Sequence, residues 1–175
     1  MNFSQNDQHD RPLFYIVAGE VSGDMIGAGV MKSLKKLTSG KARFAGVGGV
    51  HMSSEGLESL FPIEELSVLG LFELIPKIPK LLKRIRETVH DIFLKKPCAV
   101  ITIDSKGFNF RIAKQIALKQ NKQTENIKLI HMVAPTVWAW RPGRAKKIAK
   151  LFDHLLVMFP FEPAYFIPHG LKTSF

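Results

Sequence analysis

The chain has 175 residues, 46% of them apolar and 23% charged, which is the balance of one ordinary α/β domain and not of a disordered segment. Its single cysteine, Cys98, excludes an intrachain disulfide and any metal site built on cysteine pairs. Twenty-five Lys and Arg against fifteen Asp and Glu leave a formal charge of +10, which suggests an anionic partner: nucleic acid, phosphorylated substrate or acidic lipid.

Residues 1–12 are polar and lack an apolar core, so they read as an extension and not as a secretory signal. Leu13 to Ala18 (LFYIVA) is a continuous apolar run stopped by Gly19, the mark of a strand buried on both faces. Ser22 and Asp24 are N-cap candidates for a helix that carries Met25, Ile26, Val30, Leu34 and Leu37 at helical spacing. Arg43 to Val47 predicts a short second strand ending in Gly48-Gly49. Ser67 to Ile78 is densely apolar but, at twelve residues, too short to span a bilayer, for which about 20 are needed. Leu81, Leu82, Ile85, Val89, Ile92 and Phe93 then line one face of a helix. Cys98 to Ile103 predicts a buried strand running into Asp104, followed by a helix through Ile112 and Ile116. A strand is expected over Ile127 to Val133, a basic helix over Arg141 to Phe152, and a strand over His154 to Phe159. Pro160 and Pro163 break the pattern. This alternation predicts a Rossmann-like α/β fold over residues 13–175, a parallel sheet with helices on both faces.

Ligands in such a sheet bind beyond the carboxyl ends of the strands. That rule selects Gly19 to Asp24, Gly46 to Met52, Asp104 to Asn109 and Ala134 to Arg144. The first of these is not a dinucleotide fingerprint, because Gly19, Gly23 and Gly27 are four apart and two acids, Glu20 and Asp24, would repel a diphosphate. The loop is either a tight turn with close helix packing or a sugar-binding loop. Asp104, a carboxylate ending an apolar strand, needs a partner or an open cleft; it either caps the next helix or serves as a general base. His51 and His131 are rival bases. Trp138 and Trp140 form a plug on the sheet or a wall for a sugar ring, with Arg141 and Arg144 as planar donors for a phosphate. Val68, Leu69, Leu71, Phe72, Leu74, Ile75 and Ile78, followed by cations from Lys77 to Arg86, make either a core helix or an interfacial membrane anchor.

Six segments in order carry a family resemblance. They are Ala18 to Asp24 (AGEVSGD), Gly46 to Gly49 (GVGG), Leu66 to Gly70 (LSVLG), Ile103-Asp104-Ser105 with Phe108-Asn109, Pro135 to Arg141 (PTVWAWR), and Phe159 to Glu162 (FPFE). From Phe14 onward the chain resembles the N-terminal half of the lipid-A-disaccharide synthases, inverting glycosyltransferases of the two-domain GT-B type. The resemblance implies transfer of a diacylated glucosamine from a UDP-sugar donor to the 6-hydroxyl of a diacylated glucosamine 1-phosphate acceptor, with release of UDP. It places Asp104 as general base and Glu20 as an acidic residue needed for activity. Ser22, Asp24, Asn109, Trp138, Arg141 and Arg144 are the expected substrate contacts, and the apolar segment ending at Ile78 is the expected membrane-docking element. It implies a cytoplasmic enzyme, peripheral on an anionic inner membrane, without cofactor or metal. Lys106 and Gly107 stand where the family pattern has Pro and a second acid. The chain stops about where the family continues into its donor domain, so it is expected to carry the acceptor half and to be inactive alone. The competing expectations are a non-catalytic membrane-associated α/β module and, from charge alone, a nucleic-acid-binding domain, which no aromatic-basic or helix-turn-helix pattern supports.

Overall fold

A computed structural model describes residues 11–66, 71–120, 127–137 and 143–175, with side chains of the second stretch described from residue 78 onward. Its strands are β1 (Leu13–Ala18), β2 (Arg43–Val47), β3 (Ala99–Ile103), β4 (Lys128–Met132), β5 (His154–Leu156) and β6 (Lys172–Ser174). The helices between them are α1 (Val21–Leu37), α2 (Val50–Ser54), α3 (Leu71–Lys95), α4 (Lys106–Gln120), α5 (Arg144–Ala149) and α6 (Pro163–Phe166). The strands form one parallel sheet in the order β2-β1-β3-β4-β5-β6.

Helices cover both faces of the sheet because both faces of its central strands are apolar. Tyr15 and Val17 of β1 point into one core with Val100 of β3, Ile85, Val89 and Ile92 of α3, and Ile112 and Ile116 of α4. Ile16 and Ala18 point into the other with Ile101, Ile103, Met31 of α1 and Met52 of α2. That two-sided burial is why LFYIVA and AVITI read as unbroken apolar runs without alternation. At Gly46 φ is +143°, and a side chain there would run into the Ile16 backbone of the neighbouring strand, so β2 can lie against β1 only with glycine at that position.

Three boundaries depart from expectation. Helix α1 begins at Val21, and Glu20 holds the N-cap position with no side-chain cap bond, so neither Ser22 nor Asp24 caps it. Strand β5 stops at Leu156 and does not reach Phe159. The buried Glu162 accounts for this, because one of its carboxylate oxygens accepts the N–H groups of Met158 and Phe159, both at 3.0 Å. The basic helix starts at Arg144, and residues 138–142 lie outside the described stretches. Helices α2 and α6, strand β6, and the 3₁₀ turns Ile63–Leu66 and Ile167–His169 are additional to the sequence reading. All are five residues or shorter, too brief for periodicity to reveal.

Candidate active site

The strand order reverses between β1 and β3. From β1 the chain moves outward one way to β2, then crosses back to β3 and continues the other way to β6. The loops leaving β1 and β3 therefore lead to opposite faces of the sheet, and folds of this kind bind ligands in the crevice at that reversal. Ala18 is in register with Ile103, and Ile103 with Met132, so the residues that follow these strands come out side by side. After β1 comes Gly19-Glu20; after β3 comes Asp104-Ser105.

The turn after β3 is strained. Asp104 and Ser105 both lie in the left-handed region, at φ 49° and 43°, and Val133 after β4 is at 69°. Each non-glycine residue held there costs roughly 1–2 kcal/mol. Strain of this kind at the carboxyl ends of two adjacent strands marks a candidate site. Ser105 is turned against Gly19 so closely that a Cβ on Gly19 would overlap its side chain. A bare backbone at position 19 is what lets the two loops meet.

Across this contact the carboxyl groups of Glu20 and Asp104 face each other. Glu20 is held above the ordinary carboxylate range, first by its hydrogen bond to Asp104, then by burial, then by repulsion from the second charge. The Ser22 hydroxyl works against that rise by hydrogen-bonding to Glu20. Like groups set this close raise the pKa of one of them, a pattern that marks a candidate site.

Two expected substrate contacts have other work. Asp24 is only 2% exposed, and its carboxylate accepts N–H bonds from Gly49 (2.8 Å), His51 (2.9 Å) and Met52 (3.0 Å). It is thus the cap of α2, supplied from α1, and its acceptor capacity is spent inside the protein. Asn109 is fully buried. Its amide donates to the carbonyl oxygens of Ile103 and Asp104, both at 2.9 Å, and more distantly to that of Val17 at 3.5 Å. Neither side chain is placed to touch a ligand in the crevice.

Of the rival bases, His131 is buried between Phe110 and Phe152, ring centroids 5.0 and 4.9 Å away, with Nδ1 2.8 Å from the Thr102 hydroxyl. Burial drives its pKa down to about 4, only partly opposed by Asp104, so it is a neutral core residue. His51 is exposed on α2.

The family model for lipid-A-disaccharide synthetase matches residues 14–175. The chain is 50% identical over 161 residues to the lipid-A-disaccharide synthase of Paramagnetospirillum magneticum, covering 92% of this chain and 40% of that protein. It is 47% identical over 163 residues to that of Rhodospirillum centenum, covering 93% and 40%, and 44% identical over 162 residues to that of Rickettsia bellii, covering 92% and 41%. The chain belongs to the lipid-A-disaccharide synthase family. It spans about 40% of the length of these curated relatives.

Lys106 and Gly107, the departures from the family pattern, form the first residues of α4, and the Arg111 guanidinium donates to the Gly107 carbonyl. Arg144 is exposed at the start of α5. Trp138 and Arg141 lie outside the described residues, as do Val68 and Leu69 and the side chains of Leu71, Phe72, Leu74 and Ile75. Ile78 is described: it and Leu82, one turn on along α3, are 41% and 39% exposed. The cations that follow are less available than their number implies. Arg84 is bound to Glu65 at 2.7 Å and Glu87 at 2.6 Å, Lys80 is 3.4 Å from Glu65, and Lys83 is 3.8 Å from Glu87. Among the described residues no helix is long and apolar enough to cross a membrane.

Proposed function

We propose that residues 13–175 form the acceptor-binding side of an inverting glycosyltransferase of lipid A synthesis, and that the part of the relatives this chain does not align with supplies the nucleotide-sugar side. In this reading Asp104 takes the proton from the 6-hydroxyl of a diacylated glucosamine 1-phosphate. The freed oxygen bonds to the anomeric carbon of a UDP-linked diacylglucosamine, the bond from that carbon to the diphosphate breaks, and UDP leaves. Glu20 holds the partner carboxyl against Asp104, with Ser22 beside it. Trp138, Arg141 and Arg144 follow the strand next to β3 and are assigned to the sugar ring and phosphate. The acceptor is a lipid, so the crevice must work at a membrane surface. We assign that contact to the segment from Val68 to Ile78, on the cytoplasmic side of an anionic inner membrane. The exposed pair Ile78 and Leu82, one turn apart on α3, supports this. With Arg84 held by two glutamates, attachment rests more on apolar insertion than on charge.

The observation that carries the reading is the facing of Glu20 and Asp104 at the β1/β3 crevice. Asp104→Asn in a full-length family context should lower turnover by at least ~10²-fold, the usual loss for a general base, with an unchanged circular dichroism spectrum. Near-normal turnover would move the base elsewhere. Residues 1–175 assayed alone serve as the control and should form no disaccharide.

A further inference from the structure

We propose that Asn109 is a positioning residue, whose buried amide holds Asp104 in its left-handed turn and so sets the carboxyl of Asp104 against that of Glu20. Its importance to turnover rests on the reading of Asp104 as base; the geometry does not.

The turn from β3 to α4 creates a shortage of donors. Phe108 and Asn109 direct their backbone N–H groups at the Ser105 carbonyl, at 3.1 and 2.9 Å. The carbonyls of Ile103 and Asp104, swung inward by the left-handed residues, are met instead by one side chain, the Asn109 amide, at 2.9 Å each. The same nitrogen approaches the Val17 carbonyl of β1 at 3.5 Å. One –NH₂ group thus bridges the end of the strand leading to Glu20 and the end of the strand leading to Asp104.

Few side chains can do this. An aspartate would turn an acceptor toward three carbonyl oxygens, a serine has one hydrogen to give, and a leucine of similar volume has none. The other half of the amide argues the same way. Asn109 Oδ1 is buried without a hydrogen-bond partner, an unfavourable state for a polar atom. A residue placed here only to fill space would be apolar and would leave no such orphan. The donor is what this position requires, and the orphaned oxygen comes with it.

The test reads the turn and the carboxyl pair directly, without activity. In the 175-residue chain, labelled with ¹³C at Asp and Glu side-chain carboxyls, Glu20 should titrate above an ordinary glutamate, and the Asp104 amide–Hα coupling and Cα shift should report a left-handed residue. In Asn109→Leu the Asp104 signature should become extended or right-handed, and Glu20 should return to the ordinary range. Asn109→Ser, which keeps one donor and a smaller volume, should lose part of the Glu20 shift. Ile112→Ala, a cavity in the same helix, should lower the melting temperature and leave both readouts unchanged. A folded Asn109→Leu with a left-handed Asp104 and a raised Glu20 would overturn the proposal, and so would an unaltered Asn109→Ser if the leucine variant does not fold. Full turnover by Asp104→Asn would remove the base and leave this result standing, so the two failures are separable.

Discussion

Two acidic neighbourhoods of this domain have opposite chemistry. On the flank of α3, Glu65 is met by Arg84 and Lys80, and Glu65 is held below the ordinary glutamate range, chiefly by its hydrogen bond to Arg84. Arg84 lies over the Phe61 ring at 4.6 Å and also binds Glu87. In the crevice, Glu20 is met by another carboxyl, and its pKa moves upward. On the flank Glu65 and Glu87 both have cationic partners, and none of the residues involved is held left-handed. In the crevice like groups are pressed together by a turn that holds two residues left-handed. The contrast separates two kinds of acid: the matched one ties a helix down, and the mismatched one has its pKa raised by a like neighbour, the pattern of a candidate functional site.

The comparison can be broken first at the steric contact that brings the crevice together. Gly19→Ala would drive a methyl group into Ser105 and should lower stability by about 1–3 kcal/mol, as overpacking does, measured by urea unfolding. Gly29→Ala is the matching control, with nothing within 4 Å of the added carbon, and should be neutral or stabilising by about 0.4–1 kcal/mol.

A smaller effect comes from making the flank resemble the crevice. Arg84→Ala leaves Glu65 and Glu87 without their shared cation and uncovers Phe61. The cation–π contact alone is worth about 0.5–1 kcal/mol at such a site. The decisive readout is the carboxyl titration, in which Glu65 should move up toward the ordinary glutamate value while Glu20 is unaffected.

The smallest effect, and the sharpest, is in pH dependence. The folded pKa of Glu20 lies above its unfolded value, so its stabilising contribution is present below the ordinary glutamate pKa and is lost as pH rises through the raised one. Glu65 is the reverse: its contribution is present above the ordinary value and lost as pH falls through the lowered one. Glu20→Gln should therefore melt higher than the parent at neutral pH, with the gap closing in acid. Glu65→Gln should melt lower at neutral pH and approach the parent in acid. Parallel profiles for the two variants would erase the distinction between the neighbourhoods.

Burial on two faces made β1 and β3 legible in the sequence, since LFYIVA and CAVITI admit little else. Asp104 was legible for a related reason, as a charge at the end of such a run must face a partner or a cleft. Asp24 was misread although its preference was understood. It is an N-cap, but of α2, whose first amides lie 25 residues further on, and no sequence offset announces a cap supplied by another helix. Gly23 and Gly27 proved to be packing positions, facing Ile103 of β3 and Met52 of α2. Asn109 was taken for a ligand contact because a polar residue one turn into a helix reads the same whether it faces out or in. Its inward direction follows from two carbonyls that exist only once Asp104 and Ser105 turn left-handed, a conformation that neither residue type dictates.

The sheet order also bears on how the chain is made. β1 is a central strand, yet β2 closes only one of its sides; the other waits for β3, where the Cys98 thiol donates to the Leu13 carbonyl across 85 positions of sequence. At about 5–20 residues per second, a ribosome needs roughly 4–17 s to supply that partner. For that interval one of the most apolar segments of the protein presents an open hydrogen-bonding edge. Nascent chains of this domain should therefore need shielding by a chaperone until α3 and β3 have emerged.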